Sequence, residues 1–435
     1  MIQGTPVSRR RAVTLMLAGL GVLASACGPG TSPGAATKTE SKPTEAAKPA
    51  AAAKPTEAPK PAGSPAAAAS PAAGASPAAG ASPATGASPA AASAGAGLGV
   101  IKGPFEGEAK QLTGAGATFP APLYTKWFSD YKNLTGVEVN YQAIGSGGGI
   151  RAISDQTVDF GATDGPMTDE QLKAAKGGEI LHIPMALGAV VPIYNIPEIG
   201  DKPVHFSGET LAGIYLGEIT KWDDAKLKAD NPDLSLPSKD IIVIHRSDGS
   251  GTSYIFTDYL SSVSADWKSK VGAATSVNWP TGLGGQGNPG VTNEVKQNPY
   301  AIGYVELIYA MQQKLTPGMM KNKDGKFVEP TIASTTAAAG SLGDSVPADL
   351  RASIVNAPGA EAYPISGFTW MLAYKNMPDK AKAIALTRLL YWAIYDGQKM
   401  NAELGYAPLP PDMVKRAEAK IMAIESGGAK AFPGR

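Results

Sequence analysis

The residues whose types and spacing could do chemistry sit in short glycine-rich turns. The richest of these is His245-Arg246-Ser247-Asp248-Gly249-Ser250-Gly251-Thr252-Ser253. Arg246 offers a planar fork of donors suited to a phosphate or a carboxylate, and Asp248, two residues on, can hold that fork in place. Ser250 and Thr252 add hydroxyls, and the glycines permit a tight turn that exposes backbone N–H groups. This is the chemistry of anion recognition. An ordinary βα turn with Ser and Asp as helix caps would use the same residues, so the turn alone does not decide.

The elements around it must position that chemistry. The apolar β-branched run Ile241-Ile242-Val243-Ile244 predicts a strand, and the spacing from Tyr254 to Leu260 predicts a helix. Strand, turn and helix in that order place unpaired N–H groups and the positive end of the helix dipole at the turn. The same order recurs three times upstream. Leu112 to Pro120 is a short strand turning into a glycine-spaced loop, with Pro120 and Pro122 where a helix would open and Leu123, Tyr124, Trp127, Phe128 and Tyr131 at helical spacing. Val137 to Ile144 predicts a strand leading into Gly145-Ser146-Gly147-Gly148-Gly149 and a helix, and Val158 to Ala162 a strand ending at Thr163-Asp164-Gly165-Pro166. If those strands are parallel, Thr118, Ser146, Asp164 and the Arg246 turn share one side, because ligand sites in open α/β sheets gather at the carboxyl ends of strands. Neither glycine loop fits a nucleotide fingerprint: Gly114 to Phe119 lacks the third glycine and the later acidic residue, and no Gly-Lys-Ser/Thr follows Gly145 to Gly149.

Composition narrows the classes. In 435 residues, 39 basic side chains stand against 38 acidic ones, so nothing argues for a nucleic-acid partner and any anion site must be local. A single cysteine, Cys27, excludes an intramolecular disulfide framework. Three histidines (His182, His205, His245) without a CxxC or HExxH pattern leave no credible zinc site, so no metal and no cofactor is expected.

The first quarter of the chain reads differently. Ser8-Arg9-Arg10-Arg11 precedes an apolar run from Ala12 to Ala26, shorter than the roughly twenty residues of a membrane span, which reads as a signal peptide over 1–26. Cys27 follows at once, and Leu23-Ala24-Ser25-Ala26-Cys27-Gly28 resembles a bacterial lipobox with Ala24 where leucine is usual. The arginine cluster resembles a twin-arginine signal without its Phe, so the export route stays open. Residues 27–107 are Ala, Pro, Ser, Gly, Lys and Thr almost without large apolar side chains, with Ser-Pro recurring at Ser70, Ser76, Ser82 and Ser88. Such a segment cannot form a core and reads as a disordered, lipid-anchored linker with a root-mean-square span near roughly 50 Å. The folded part is expected to start near Glu108.

With the four turns in view, the chain resembles the phosphate-binding protein (PstS) family of bacterial ABC phosphate importers. The motifs are LTGAGATFPAPLY (Leu112 to Tyr124), VNYQAIGSGGG (Val139 to Gly149), VDFGATDGPM (Val158 to Met167), IYLGEITKWDD (Ile214 to Asp224), HRSDGSGTS, WPTGLGGQGNPGV (Trp279 to Val291) and AIGYVEL (Ala301 to Leu307). The resemblance implies an α/β, two-lobed fold of the type II periplasmic-binding-protein kind with its ligand cleft between the lobes. Residues 108–192 with 363–435 would form lobe I, and residues 193–362 lobe II.

The family's ligand groups carry over residue by residue. Thr118 would give its hydroxyl, Phe119 its N–H, Ser146 both, and Asp164 would accept a proton from the ligand. Arg246 would pair with the anion, Ser250, Gly251 and Thr252 would donate, and Asp248 would support Arg246. Gly147 stands where the family often has a second serine, Ser247 where alanine is common, and His245 precedes the arginine. The implied function is capture of inorganic phosphate for a membrane permease, by an extracytoplasmic lipoprotein that is monomeric and not an enzyme. Another oxyanion, a phosphate-sensing role or a phosphate-ester hydrolase are the alternatives.

Three further expectations are structural. Trp222, Trp279, Trp370 and Trp392 are expected in the core. The run from Leu386 to Tyr395 should be an amphipathic helix on lobe I, and Glu218, Asp223 and Asp224 an exposed acidic face.

Overall fold

The computed structural model describes residue 101 and residues 103–434. The leader expected at 1–26, Cys27 and the linker as far as residue 100 lie outside the described residues.

Three short strands begin the fold: β1 (Gln111–Gly116), β2 (Glu138–Gln142) and β3 (Phe160–Thr163). β1 pairs in parallel with both others. Parallel neighbours need crossovers, supplied by α1 (Ala121–Thr135) and α2 (Ser146–Ser154). Pro122 fits the opening turn of α1, and Leu123, Tyr124, Trp127, Phe128 and Tyr131 are all buried, as their spacing predicts. The helix stops at Gly136, whose N–H donates back to Lys132 O at 2.8 Å. A short α3 (Asp169–Ala174), opened by a Thr168–Gln171 capping box, leads to β4 (Ile180–Tyr194), which is buried along its whole length.

The middle of the chain contains β5 (His205–Phe206), α4 (Gly208–Tyr215), α5 (Ala225–Asp230), β6 (Ile242–Arg246), α6 (Gly251–Val263) and α7 (Ala265–Lys270). It continues through β7 (Leu283–Gly285), α8 (Gly287–Gln297), β8 (Ala301–Glu306), α9 (Leu307–Gln313), β9 (Met319–Lys321), β10 (Phe327–Val328) and α10 (Ile332–Gly340). β11 (Ser366–Tyr374), α11 (Lys380–Tyr395) and α12 (Pro411–Met422) return to the first half. The large sheet has eight strands in the order β2-β1-β3-β11-β4-β8-β6-β7.

β4 is the strand that brings the turns together. Residues Ile180 to Ala189 pair antiparallel with β11, and Val190 to Tyr194 pair antiparallel with β8. β11 is in turn antiparallel to β3, so β1, β2 and β3 run with β4, whereas β6, β7 and β8 run against it. The two halves of the sheet therefore point their carboxyl ends at each other along β4. Glu306, the last residue of β8, pairs with Val190 at the middle of β4. Strand ends from both halves converge there, although the strands are not all parallel as a single open sheet would require.

α11 departs from the expected amphipathic helix. Every residue from Ala383 to Ile394 is buried, because the helix packs against β1, β4 and α12. Arg388 is among them, 3.4 Å from the equally buried Glu108. Its guanidinium also donates to Gly103 O at 3.1 Å and lies 4.8 Å over the Phe105 ring. With Ile101 buried as well, the fold reaches further toward the N-terminus than the start expected at Glu108.

Candidate functional site

The turn after β6 is built around Arg246, which is 3 % exposed. Its Nε and Nη2 donate to the two oxygens of Asp248 at 2.8 and 2.6 Å. Gly287 N–H also donates to Asp248 Oδ1 at 3.0 Å. Burial works against the Asp248 charge, but the Arg246 hydrogen bonds outweigh it and hold the carboxyl below its ordinary range. The fork is thus spoken for on one edge. Its Nη1 edge reaches Thr252 Oγ1 at 3.3 Å, turned toward the other strand ends.

Ser250 caps α6, its hydroxyl accepting from Ser253 N–H at 3.0 Å, so that the cap expected of an ordinary βα turn is present alongside the arginine. Gly251 is the first residue of α6, and its N–H donates to Ser146 Oγ at 2.9 Å, from the other half of the sheet. A side chain at Gly251 would meet Asp164 N at 2.5 Å, so only glycine lets α6 approach the end of β3. Gly145 has φ +86°, and a Cβ there would lie 2.2 Å from Asp248 Oδ2. Gly147 N–H donates to Gly249 O at 2.8 Å, a bond along bare backbone where a serine would stand in the resembling family.

Thr118, Ser146, Asp164, Arg246, Ser250, Gly251 and Thr252 are all buried, as is Phe119. Thr118, Ser146, Asp164, Arg246, Gly251 and Thr252 are joined by the bonds just given or through Asn288. Phe119 lies at the opening of α1, its carbonyl accepting from Tyr406 Oη at 2.6 Å, while Thr118 O accepts from Tyr309 Oη. These two tyrosines pin the loop after β1 from behind.

Asp164 is the unusual group. It is 1 % exposed, and neither carboxyl oxygen has a hydrogen-bond partner among the described residues. Burial pushes its pKa up to about 7, with Thr369, Arg246 and Ser146 pulling the other way. Around it stand groups with N–H or O–H to give. Ser146 Oγ already accepts from Asp164 N and Gly251 N, at 3.3 and 2.9 Å. Glu306, at the end of β8, is buried too, and burial raises its pKa well above the carboxylate range. Its Oε2 caps α9 through Ile308 N–H at 2.8 Å.

Sequence reasoning missed Asn288, Tyr304 and Glu306. All three are fully buried around the Arg246 turn. Tyr304 accepts from Arg246 N–H at 3.2 Å, shares a hydrogen bond with Ser253 at 2.6 Å and stacks on Phe256 at 4.1 Å. The signal was present in GQGNPGV and IGYVEL, but a polar residue inside a motif does not announce which neighbour it meets. His245 stacks on the half-buried Trp279 at 4.9 Å, and burial lowers its pKa, so its ring joins an aromatic cluster. Trp222, Trp370 and Trp392 lie in the core. The expected acidic face is interleaved with lysines: Glu218 lies 3.6 Å from Lys270, Asp223 lies 3.4 Å from Lys228, and Asp224 caps α5. Among the described residues no group of three or more His, Cys, Asp or Glu could hold a metal, and no helix is long and apolar enough to cross a membrane.

A model of the PBP superfamily domain matches residues 66–396. The chain is 45 % identical over 309 residues to "Phosphate-binding protein PstS" of Xylella fastidiosa (strain 9a5c), covering 71 % of this chain and 84 % of that one. It is 44 % identical over 315 residues to the protein of the same name from Haemophilus influenzae, covering 72 % and 93 %. The solved phosphate-binding protein from Stenotrophomonas maltophilia is similar in fold, with a TM-score of 0.56 at 20 % identity over 72 % of this chain and 94 % of that one. A superfamily match across most of the chain, two extensive relatives and a shared α/β fold lead to one conclusion: the chain belongs to the PstS phosphate-binding proteins of the PBP superfamily.

Proposed function

We propose that this chain captures inorganic phosphate between two lobes and delivers it to the membrane permease of an ABC importer. The observation that carries the reading is the buried carboxyl of Asp164, which has no hydrogen-bond partner within ordinary distance among the described residues yet lies close enough to Thr369, Arg246 and Ser146 for all three to favour its charge. Donors of this kind satisfy a desolvated tetrahedral anion without a large excess of positive charge. An ionised carboxylate in the same space repels any anion that brings no proton to share. Mono- and dibasic phosphate carry one, and sulfate at neutral pH does not, so a buried acceptor left unpaired disfavours sulfate. The relatives' names agree with this ligand.

In this reading Thr118, Phe119, Ser146, Asp164, Arg246, Ser250, Gly251 and Thr252 contact the anion and Asp248 supports Arg246. Lobe I comprises residues 108–192 and 363–435, and lobe II residues 193–362, hinged where β4 changes partner from β11 to β8. The protein acts as a binding protein and not as an enzyme. It works outside the cytoplasm as a monomer, and after removal of the leader a lipid on Cys27 and the linker behind it tether it to the membrane. The lipobox-like sequence and the linker's composition support the tether; replacing Cys27 by Ser should release the protein from membranes.

The deciding measurement is calorimetric titration of phosphate, with sulfate as comparison, into the full chain stripped of co-purified ligand. One-to-one phosphate binding with little response to sulfate is the expected result. Binding of neither anion would overturn the reading, and equal binding of both would remove Asp164 from its role.

A further inference from the structure

Asn288 lies in the first turn of α8, fully buried between the ends of the two sheet halves. One bond settles which way its amide faces. Oδ1 accepts from the backbone N–H of Glu306 at 3.0 Å, a group that can only donate. Nδ2 must then face the opposite way, and there it reaches Thr118 Oγ1 at 2.9 Å and Thr252 Oγ1 at 3.1 Å. The backbone N–H of Asn288 meets Thr118 Oγ1 as well, at 3.2 Å, and Arg246 Nη1 meets Thr252 Oγ1 at 3.3 Å.

A hydroxyl has two lone pairs to fill and one proton to give. Two N–H donors face each of these threonine oxygens, so each oxygen is filled as an acceptor and its proton is left to point at a third partner. Neither threonine hydroxyl donates to a protein acceptor among the described residues. Ser146 reaches the same condition without Asn288, through Asp164 N and Gly251 N. A carboxamide suits the task at position 288 because one end is fixed by a backbone donor while the other has two hydrogens, one for each threonine. An aspartate would present acceptors to both threonines and draw their protons inward.

Resting on the phosphate-receptor reading above, we infer that Asn288 is a positioning residue that sets the hydroxyl polarity of the anion site. It turns Thr118 and Thr252 into obligatory donors toward phosphate and couples that orientation to closure, since the two threonines belong to opposite halves of the sheet. Asp164 is then left as the acceptor that reads the ligand's proton.

The test is calorimetric titration of inorganic phosphate into the full chain and into Asn288→Ala, Asn288→Asp, Thr118→Val and the Asn288→Ala/Thr118→Val double variant. Asn288→Ala should weaken binding by about 10-fold and Asn288→Asp by at least about 100-fold, because the second reverses the threonine protons as well as removing donors. In the double-mutant cycle the losses should fall well short of multiplying, since Asn288 acts through the hydroxyl that Thr118→Val removes. A merely structural asparagine would give losses that multiply and that follow the melting temperatures of the phosphate-free variants. Multiplying losses, or Asn288→Asp binding no more weakly than Asn288→Ala, overturn the inference. If Asn288→Asp does not fold, the Ala and Val cycle decides alone. Absence of phosphate binding by the unaltered chain overturns the receptor reading itself, a result distinct from failure of the cycle.

Discussion

At the scale of single residues, protonation of Asp164 connects ligand choice to pH. Burial places its pKa at about 7, well above that of an exposed aspartate. In the proposed receptor the carboxylate above that pH accepts the phosphate proton and repels sulfate. Below it the protonated group donates and no longer penalises an anion without a hydrogen. Discrimination between phosphate and sulfate should therefore shrink as pH falls from 8 to 5, and Asp164→Asn should narrow the gap at pH 8 while changing it little at pH 5; competition titrations across that range check both. Stability has the matching sign. Because the folded pKa is raised, the penalty of burying the charge is fully present above about pH 7 and fades as pH falls toward the unfolded value. Asp164→Asn should stabilise the phosphate-free protein by about 2–4 kcal/mol at pH 8 and by much less at pH 4, in chemical denaturation.

At the scale of elements, the approach of α6 to β3 depends on the missing side chain at Gly251. A methyl there would overlap the Asp164 backbone. In Gly251→Ala the helix must draw back and Ser146 loses the N–H it accepts from. Phosphate affinity should fall by at least about 100-fold while the melting temperature without phosphate changes little, because overpacking of this kind is felt where the two halves meet. α11 carries a different risk. It buries Arg388 opposite Glu108, and removing one member of a buried ion pair leaves the other charge without its partner. Glu108→Ala should destabilise the fold by about 3 kcal/mol, measured by denaturant unfolding, with phosphate affinity per folded molecule unchanged.

At the scale of the whole molecule, the proposed function makes closure the event that assembles the site. Gly147 N–H to Gly249 O, Gly251 N–H to Ser146 and Asn288 to Thr118 all join residues from opposite halves of the sheet. Such bonds form only when the halves meet, and an anion that both halves contact shifts the population toward that state. Small-angle scattering of the full chain should show a smaller radius of gyration with saturating phosphate than without it, and no change with sulfate. The same radius in all three conditions would mean that the closed arrangement does not depend on the ligand.

Much of this was legible in the chain itself, and the physical reason differs from part to part. Strand, glycine turn and helix are local matters: β-branched runs, prolines at a helix opening and apolar residues at helical spacing act over a few neighbours, so the turns carrying Thr118, Ser146, Asp164 and Arg246 could be found in advance. The pairing of Arg246 with Asp248 is also local, two residues apart. The burial of Ile101, the all-round burial of α11 and the position of His245 against Trp279 depend on long-range packing that no short window contains. Most of all, the sequence determined which groups can give or take a proton, while the tertiary structure alone decided which of them do. Two halves running in opposite directions along β4 bring Asn288 between two threonines and leave the Asp164 carboxyl buried without a partner, because only the assembled fold removes water and dictates who meets whom.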